Sequence, residues 1–318
     1  MAIFKGFTKE IVIYNMDRIK QYLLLSGLLL ALLTVFVNIS PTIQLVIFGI
    51  IIFLTGVPHG SLDYFVEKQI LEQAHKQISM ATFLVKYFLN MVLYAGVWYV
   101  FPTVALLIFI GLTAYHFGEI DWPMRQQSQL EKVCYTLYGL LFIIFIISIH
   151  IDFAAPILFE VVQQKISAAT WLYWGNEIFF YNLLALVIQL VFLIIFYKKL
   201  GWSKAIIIQF CVQTIVLMVI IYTLPLYIGF GFYFGAWHSI LSFNLIRKQM
   251  NLANSLVGWL SLIKKALPFT IVAWLGIIAL LFFQTHFQTE WLAISNLFVG
   301  IAILTLPHLQ VFTKIKLR

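Results

Sequence analysis

The sequence predicts an all-α, polytopic membrane bundle of about ten transmembrane helices, with both termini cytoplasmic. Three observations predict it. Of the 318 residues, 63% are hydrophobic and only 10% charged, where a soluble domain carries about 45–50% and about 25%. The mean hydropathy is +0.99, and the apolar residues fall in runs close to the roughly 20 residues a helix needs to cross a bilayer. The basic residues also alternate between connections as they do when Lys and Arg mark cytoplasmic loops. A water-soluble enzyme, a nucleic-acid-binding domain and a disordered chain are excluded together. The net charge of +8, which would point to nucleic acid in a soluble protein, here follows from the charge asymmetry of a membrane protein.

The apolar stretches, in order, are 22–37, 43–57, 82–101, 104–117, 133–149, 179–197, 205–223, 226–245, 267–283 and 291–312. The second and fourth are short, so tilt, local thinning or continuation into the polar patches that follow them is expected. Lys5, Lys9, Arg18 and Lys20 precede the first stretch. Lys68, Lys76 and Lys86 surround the 2–3 connection, and Arg125 and Lys132 the 4–5 connection. Lys198, Lys199 and Lys204 fall in 6–7, Arg247, Lys248, Lys264 and Lys265 in 8–9, and Lys314, Lys316 and Arg318 at the end. Of the 20 basic residues only Lys165 lies on the other side. One helix more or fewer would scramble that pattern.

The outer connections are short except 150–178, where an interfacial helix is expected around 156–169, with Trp171, Tyr173 and Trp174 as interface anchors. Residues 1–318 read as a single integral membrane domain: a cytoplasmic or interfacial segment over 1–20 and a bundle over 21–313. The segment at 1–20 mixes charges with apolar residues and has no small-residue cleavage site, so it does not read as a cleavable signal. Cys134 and Cys211 lie in apolar runs without metal-binding spacing and read as inert thiols.

The seven histidines divide by depth. His75, His150 and His286 fall in connections or at span ends and read as solvated or interfacial. His59, His116, His238 and His308 lie on, or just past, even-numbered spans, all running from outside to inside. Counted from the outer ends, they sit at depths of roughly 18–26 Å at about 1.5 Å per residue. Four imidazoles can therefore share one layer in the cytoplasmic half of the membrane. Ionisable groups within a membrane face the bundle interior and mark function. Imidazoles suit iron, zinc or copper, and no thiolate competes. Asp63 lies four residues after His59 and Asp121 five after His116, so each is a candidate to receive an imidazole N–H and fix a ligand's tautomer.

Absences narrow the chemistry. There is no His-x-x-x-His or His-His box of a di-iron desaturase, no lysine deep in a span for a retinal Schiff base, and no His-Glu-x-x-His of a zinc protease. Intramembrane charges in mid-span, expected of a transporter, are scarce. A single non-haem iron and a haem held by two facing histidines both remain open. Aromatic residues make up 17% of the chain, which suits a long conjugated substrate and equally suits lipid-facing packing.

Four strings occur in order along the chain: Pro58-His59-Gly60-Ser61-Leu62-Asp63, His116-Phe117-Gly118-Glu119-Ile120-Asp121, Trp237-His238-Ser239 and Leu306-Pro307-His308. Together they resemble the membrane β-carotene 15,15′-dioxygenases of bacteria and archaea, the bacteriorhodopsin-related-protein-like family. The resemblance runs from about residue 54 to 312 and leaves out the first span. It implies a multi-pass enzyme of the cytoplasmic (inner) membrane that splits the central double bond of β-carotene, or a similar carotenoid, with O2 to give two retinal. It implies a histidine-ligated Fe(2+) with His59, His116 and His238 as catalytic ligands, and Asp63 and Asp121 behind them. The expected partners are carotenoid, O2 and membrane lipid, with no nucleic acid. Tyr115, Phe117, Phe234 and Trp237 are the expected substrate-lining aromatics.

The chain departs from the family at one position. The third motif there reads His-Ser-x-x-His, and its second histidine is replaced by Ser242. His308 then completes a four-histidine set, or the metal keeps three histidines and an extra open position, or the activity has changed. The alternatives in function are a diverged relative acting on another carotenoid or lipid, and a non-enzymatic haem- or metal-binding membrane protein.

Overall fold

The computed structural model describes residues 18–123, 128–285 and 290–315, without the side chains of 280–281, 283–285 and 290–293. Lys5, Lys9, Arg125, His286, Lys316, Arg318 and the first 17 residues lie outside it. The described residues form helices and no strands. In order these are α1 (Arg18–Phe36), α2 (Pro41–Ile51), a π-helical turn π1 (Ile52–Gly56), α3 (Val57–Gly60), α4 (Asp63–Gln73), α5 (Met80–Val100) and α6 (Pro102–Asp121). Then follow α7 (Gln129–Ile149), α8 (Ile151–Val161), α9 (Ala168–Phe196), α10 (Lys204–Thr223) and α11 (Leu226–Phe230). A second π segment, π2 (Gly231–His238), leads into α12 (Ser239–Gln249), and α13 (Leu256–Thr285) and α14 (Glu290–Phe312) complete the chain.

Polar residues start the helices. The hydroxyls of Ser40, Ser79, Ser128, Ser167 and Ser203 accept from the backbone N–H three residues on, capping α2, α5, α7, α9 and α10. A serine oxygen there satisfies one of the four donors that a helix leaves open at its N-terminus. Pro41 and Pro102 occupy the first helical position, where the missing N–H costs nothing.

Among the described residues, nine helical runs are long and apolar enough to cross a membrane, so the protein is a multi-pass membrane bundle. The second is a run of 33 residues, Pro41–Gln73, which carries the short second stretch on into its polar patch. The expected eighth span is helical from 226 to 249 but comes in three pieces, α11, π2 and α12. Its Ser239, Ser242, Asn244 and Arg247 are buried; polar groups on a membrane helix turn inward, and they lower its apolarity below that of the other nine. At 1.5 Å per residue it is about 36 Å long, enough to be the tenth traverse.

The outer connection departs from expectation. The short helix there is α8, at Ile151–Val161, with Pro156 inside it rather than at its start. Proline favours a first turn, but here Ile151, Ala154, Ala155 and Leu158 bury one face against neighbours and fix the helix earlier. The following helix α9 begins at Ala168, capped by Ser167, so the sixth span begins earlier in the chain than its apolar stretch. Gly175 makes this possible: a Cβ there would sit 2.2 Å from Ile151 Cγ1.

Helices in lipid gain nothing from hiding apolar surface against one another, so close packing and polar contacts hold them. The tightest crossing is α6 on α7. A Cβ on Gly118 would lie 1.8 Å from the Tyr135 carbonyl oxygen, and one on Gly139 2.0 Å from that of Ala114. Asn182 and Gln189 of α9 donate to the carbonyls of Leu141 and Cys134 on α7, at 2.9 and 2.8 Å. Cys134 and Cys211 are both free thiols.

Gly111 lies on the same helix as Gly118, but a Cβ added there would have nothing within 4 Å. Gly118→Ala is therefore expected to lower stability by about 2 kcal/mol or more through overpacking, while Gly111→Ala is neutral or gains up to about 1 kcal/mol of helix propensity. Thermal unfolding of both variants in the same detergent checks the contrast, and equal midpoints would contradict the crossing.

Candidate metal centre

Two π turns aim two of the histidines. In each, the wider winding accommodates an extra residue and rotates the succeeding residues by about 100° relative to an unbroken α-helix. The first, π1, lies just ahead of His59, and the second, π2, ends on His238. The two segments lie side by side: Gly56 of π1 approaches the Phe234 ring of π2 at 3.5 Å from where a Cβ would sit, and a Cβ on Gly235 would come 2.4 Å from Cγ2 of Ile51, the last residue of α2 before π1. His116 arrives on α6 and His308 on α14, one residue after Pro307.

The four rings meet. Centroids are 5.5 Å apart for His59–His238, 4.7 Å for His238–His116, 5.1 Å for His116–His308 and 4.9 Å for His308–His59. This is a closed square, with successive rings crossing at 76–88°. One nitrogen from each of His59, His116 and His238 lies within 4.8 Å of the others. All four residues are buried.

Their hydrogen bonding is uneven. His59 Nδ1, His238 Nδ1 and His308 Nε2 are buried with no partner. Leaving a buried polar atom unpaired costs about 1–3 kcal/mol, and three such atoms in one cluster of rings call for an occupant. A cation accepting imidazole lone pairs meets that demand, and the donor set of several imidazoles without thiolate fits a first-row transition metal.

His308 is held by a carboxylate. Its Nδ1 donates to Asp63, 2.8 Å from Oδ1 and 3.1 Å from Oδ2. The Tyr87 hydroxyl donates to Asp63 Oδ2 at 3.0 Å. A proton fixed on Nδ1 leaves the lone pair on Nε2, the nitrogen that is buried without a partner. Sequence spacing pairs Asp63 with His59, four residues earlier; the turn at Ser61 and Leu62 ends α3 before α4 begins, and the carboxylate goes to α14 instead. The carboxylate of Asp121 accepts from Tyr233 at 2.9 Å and Trp237 Nε1 at 2.6 Å, reaching the helix of His238 rather than taking the position on His116 that spacing indicates. Ser242 is fully buried, with its hydroxyl 3.5 Å from His238 Nε2.

Of the four expected aromatics, Phe117 lies 4.2 Å from the His238 ring and Phe234 stacks on the same ring at 5.9 Å and 6°. Tyr115 packs edge-on against Tyr135, and Trp237 is committed to Asp121. Phe312, which is not among the four, has its ring 4.5 Å from His116 and 5.5 Å from His308. The sequence does carry a signal for it: Phe312 follows His308 by four residues, on the same face of a helix. Of the histidines set apart, His75 is exposed at the end of α4 and His150 caps α7.

A family model described as β-carotene 15,15′-dioxygenase matches residues 50–316. The chain is also similar to a protein named β-carotene 15,15′-dioxygenase from the uncultured marine bacterium 66A03, at 25% identity over 277 residues, covering 82% of this chain and 90% of the relative. No solved structure matches. The matched segment contains all four clustered histidines and leaves out α1.

Loss of a carboxylate behind a ligating histidine typically weakens metal binding about 10–100-fold. Asp63→Asn is expected to show that loss in a metal titration of the purified protein, and Tyr87→Phe a smaller one in the same direction. Unchanged affinity in Asp63→Asn would remove His308 from the site.

Proposed function

The chain belongs to the β-carotene 15,15′-dioxygenase family, and from that premise we propose that it cleaves the central 15,15′ double bond of β-carotene, or of a similar carotenoid, with O2 to give two molecules of retinal. The observation that carries the reading is the closed square of buried imidazoles with three unpartnered nitrogens. His59, His116 and His238 would hold Fe(2+), and His308 would add a fourth nitrogen through Nε2. When bound, the iron supplies the activation of O2 that a closed-shell polyene lacks by itself.

The reaction balances without further reagents. One carbon–carbon double bond and one O2 become two carbonyl groups, with both oxygen atoms in the products and no external reductant. No proton has to be moved, so no nucleophilic serine is required. Ser61 and Ser239 fit that view, since their hydroxyls donate to the carbonyls of Val57 and Phe234, four and five residues earlier in the chain.

The chain's own contribution is to bind, orient and keep dry. A carotenoid dissolved in lipid enters sideways between helices and needs no aqueous channel. Phe117, Phe234 and Phe312, against the histidine rings, offer flat apolar surfaces that hold a polyene near the centre. Asp63 keeps His308 in one tautomer and orientation. Ser242 puts a small hydroxyl beside His238, where imidazole would fill more space, and His308 takes over the ligand that this position loses. The protein would work in the cytoplasmic membrane, with the metal layer in its inner half.

The test is expression in bacteria that accumulate β-carotene, with pigments extracted and resolved. Two retinal formed per carotene consumed, and none in His59→Ala or His116→Ala, is the expected result. Carotene that persists beside a folded, iron-loaded protein would overturn the proposal, and a Soret band in the purified protein would assign the histidines to haem.

A further inference from the structure

At the end of α6 beyond His116 lies a charged network that the proposed chemistry does not use. Lys20, in the first turn of α1, is buried. Its ammonium donates to the Asp121 carbonyl and to Gln213 Oε1, both at 3.0 Å, and lies 5.9 Å from the centre of the Trp237 ring. The Gln213 amide donates to the same Asp121 carbonyl at 3.3 Å. Through its carboxylate, Asp121 then binds Tyr233 and Trp237.

The position of these residues gives the network its meaning. Asp121 ends the helix that carries His116, five residues before it. Tyr233 and Trp237 belong to π2, and Trp237 immediately precedes His238. One carboxylate therefore ties together the two helices whose histidine rings are closest in the square, 4.7 Å apart. The cation that balances it comes from α1, outside the matched segment of 50–316. Further along α1, Gly27 seats π2 directly: a Cβ there would sit 2.5 Å from Phe232 Cζ.

Burying a lysine and an aspartate is a poor way to add stability, because desolvation offsets most of the attraction. Such groups are better explained by what they hold in place. A π segment is the element most in need of it, since its wider turn leaves the backbone less constrained. We propose that Lys20 and Asp121 are positioning residues for the metal centre, with α1 acting as a brace that fixes His238 against His116. This rests on the metal reading above, and the two can be separated by experiment.

The experiment uses the full chain with iron replaced by cobalt(II), whose visible d–d absorption reports ligand geometry directly. Cobalt is titrated into the purified wild type, Lys20→Met, Lys20→Arg and Tyr233→Phe, each checked by thermal unfolding. Lys20→Met is expected to bind cobalt about 10–100-fold more weakly, as when an outer partner of a metal site is lost, with a shifted d–d spectrum. Lys20→Arg, which keeps the charge, is expected to recover most of the affinity and the wild-type spectrum. If Lys20→Met fails to fold, Tyr233→Phe removes only one hydroxyl from Asp121 and carries the test with a smaller shift. Wild-type affinity and spectrum in the folded Lys20→Met, or an unshifted spectrum in Tyr233→Phe where Lys20→Met does not fold, would overturn the brace alone. A wild type that binds no cobalt would overturn the metal reading, and the brace with it.

Discussion

Four imidazoles buried at one depth in an apolar bundle set the terms for everything around them. Each carries polar nitrogens that lipid cannot satisfy and that the protein satisfies only in part. His308 is anchored by Asp63 and His238 touches Ser242, while His59 Nδ1, His238 Nδ1 and His308 Nε2 are buried without a hydrogen-bond partner. An apolar core tolerates such groups only when something else takes up their lone pairs. The surrounding helices are shaped to bring these nitrogens together, at the expense of regular winding.

That expense is visible in the two π segments. An unbroken α-helix would carry His59 and His238 past the cluster; the added residue in each turns them into it. Gly231 and Gly235 let π2 lie close to the end of α2 that leads into π1, and a Cβ on Gly235 would come 2.4 Å from Ile51 Cγ2, so a bulkier residue there would disturb the approach of the two histidine-bearing segments. The same economy of side chains holds α6 against α7 at Gly118 and Gly139. Gly118 is two residues from His116, so the crossing that stabilises the bundle also places that imidazole. Packing and site geometry are one problem in this molecule.

The sequence made the membrane architecture legible because hydropathy and the placement of lysine and arginine obey physical rules that act residue by residue. Depth along the spans likewise put His59, His116, His238 and His308 in one layer, and the structure brings their rings into contact. Other features depended on tertiary context. Nothing in the local sequence announced π winding, although Gly56, Gly231 and Gly235 are understandable once the two segments are seen together. The partner of Asp63 could not be read from spacing, since a turn intervenes after His59 and the recipient lies 245 residues away. Lys20 read as one more cytoplasmic charge, because its burial depends on Gln213 and Asp121 arriving from α10 and α6. Pro156 misled for the opposite reason: a strong local preference lost to packing of the helix around it.

The central claim is that these imidazoles together hold iron. X-ray absorption at the iron edge of the purified protein tests it most directly. The expected result is about one iron per chain, in a shell of nitrogen and oxygen scatterers with the outer-shell pattern of several imidazole rings, weakened in His308→Ala. A protein that purifies folded yet retains no iron on supplementation, or iron whose surroundings lack the imidazole pattern, would contradict it.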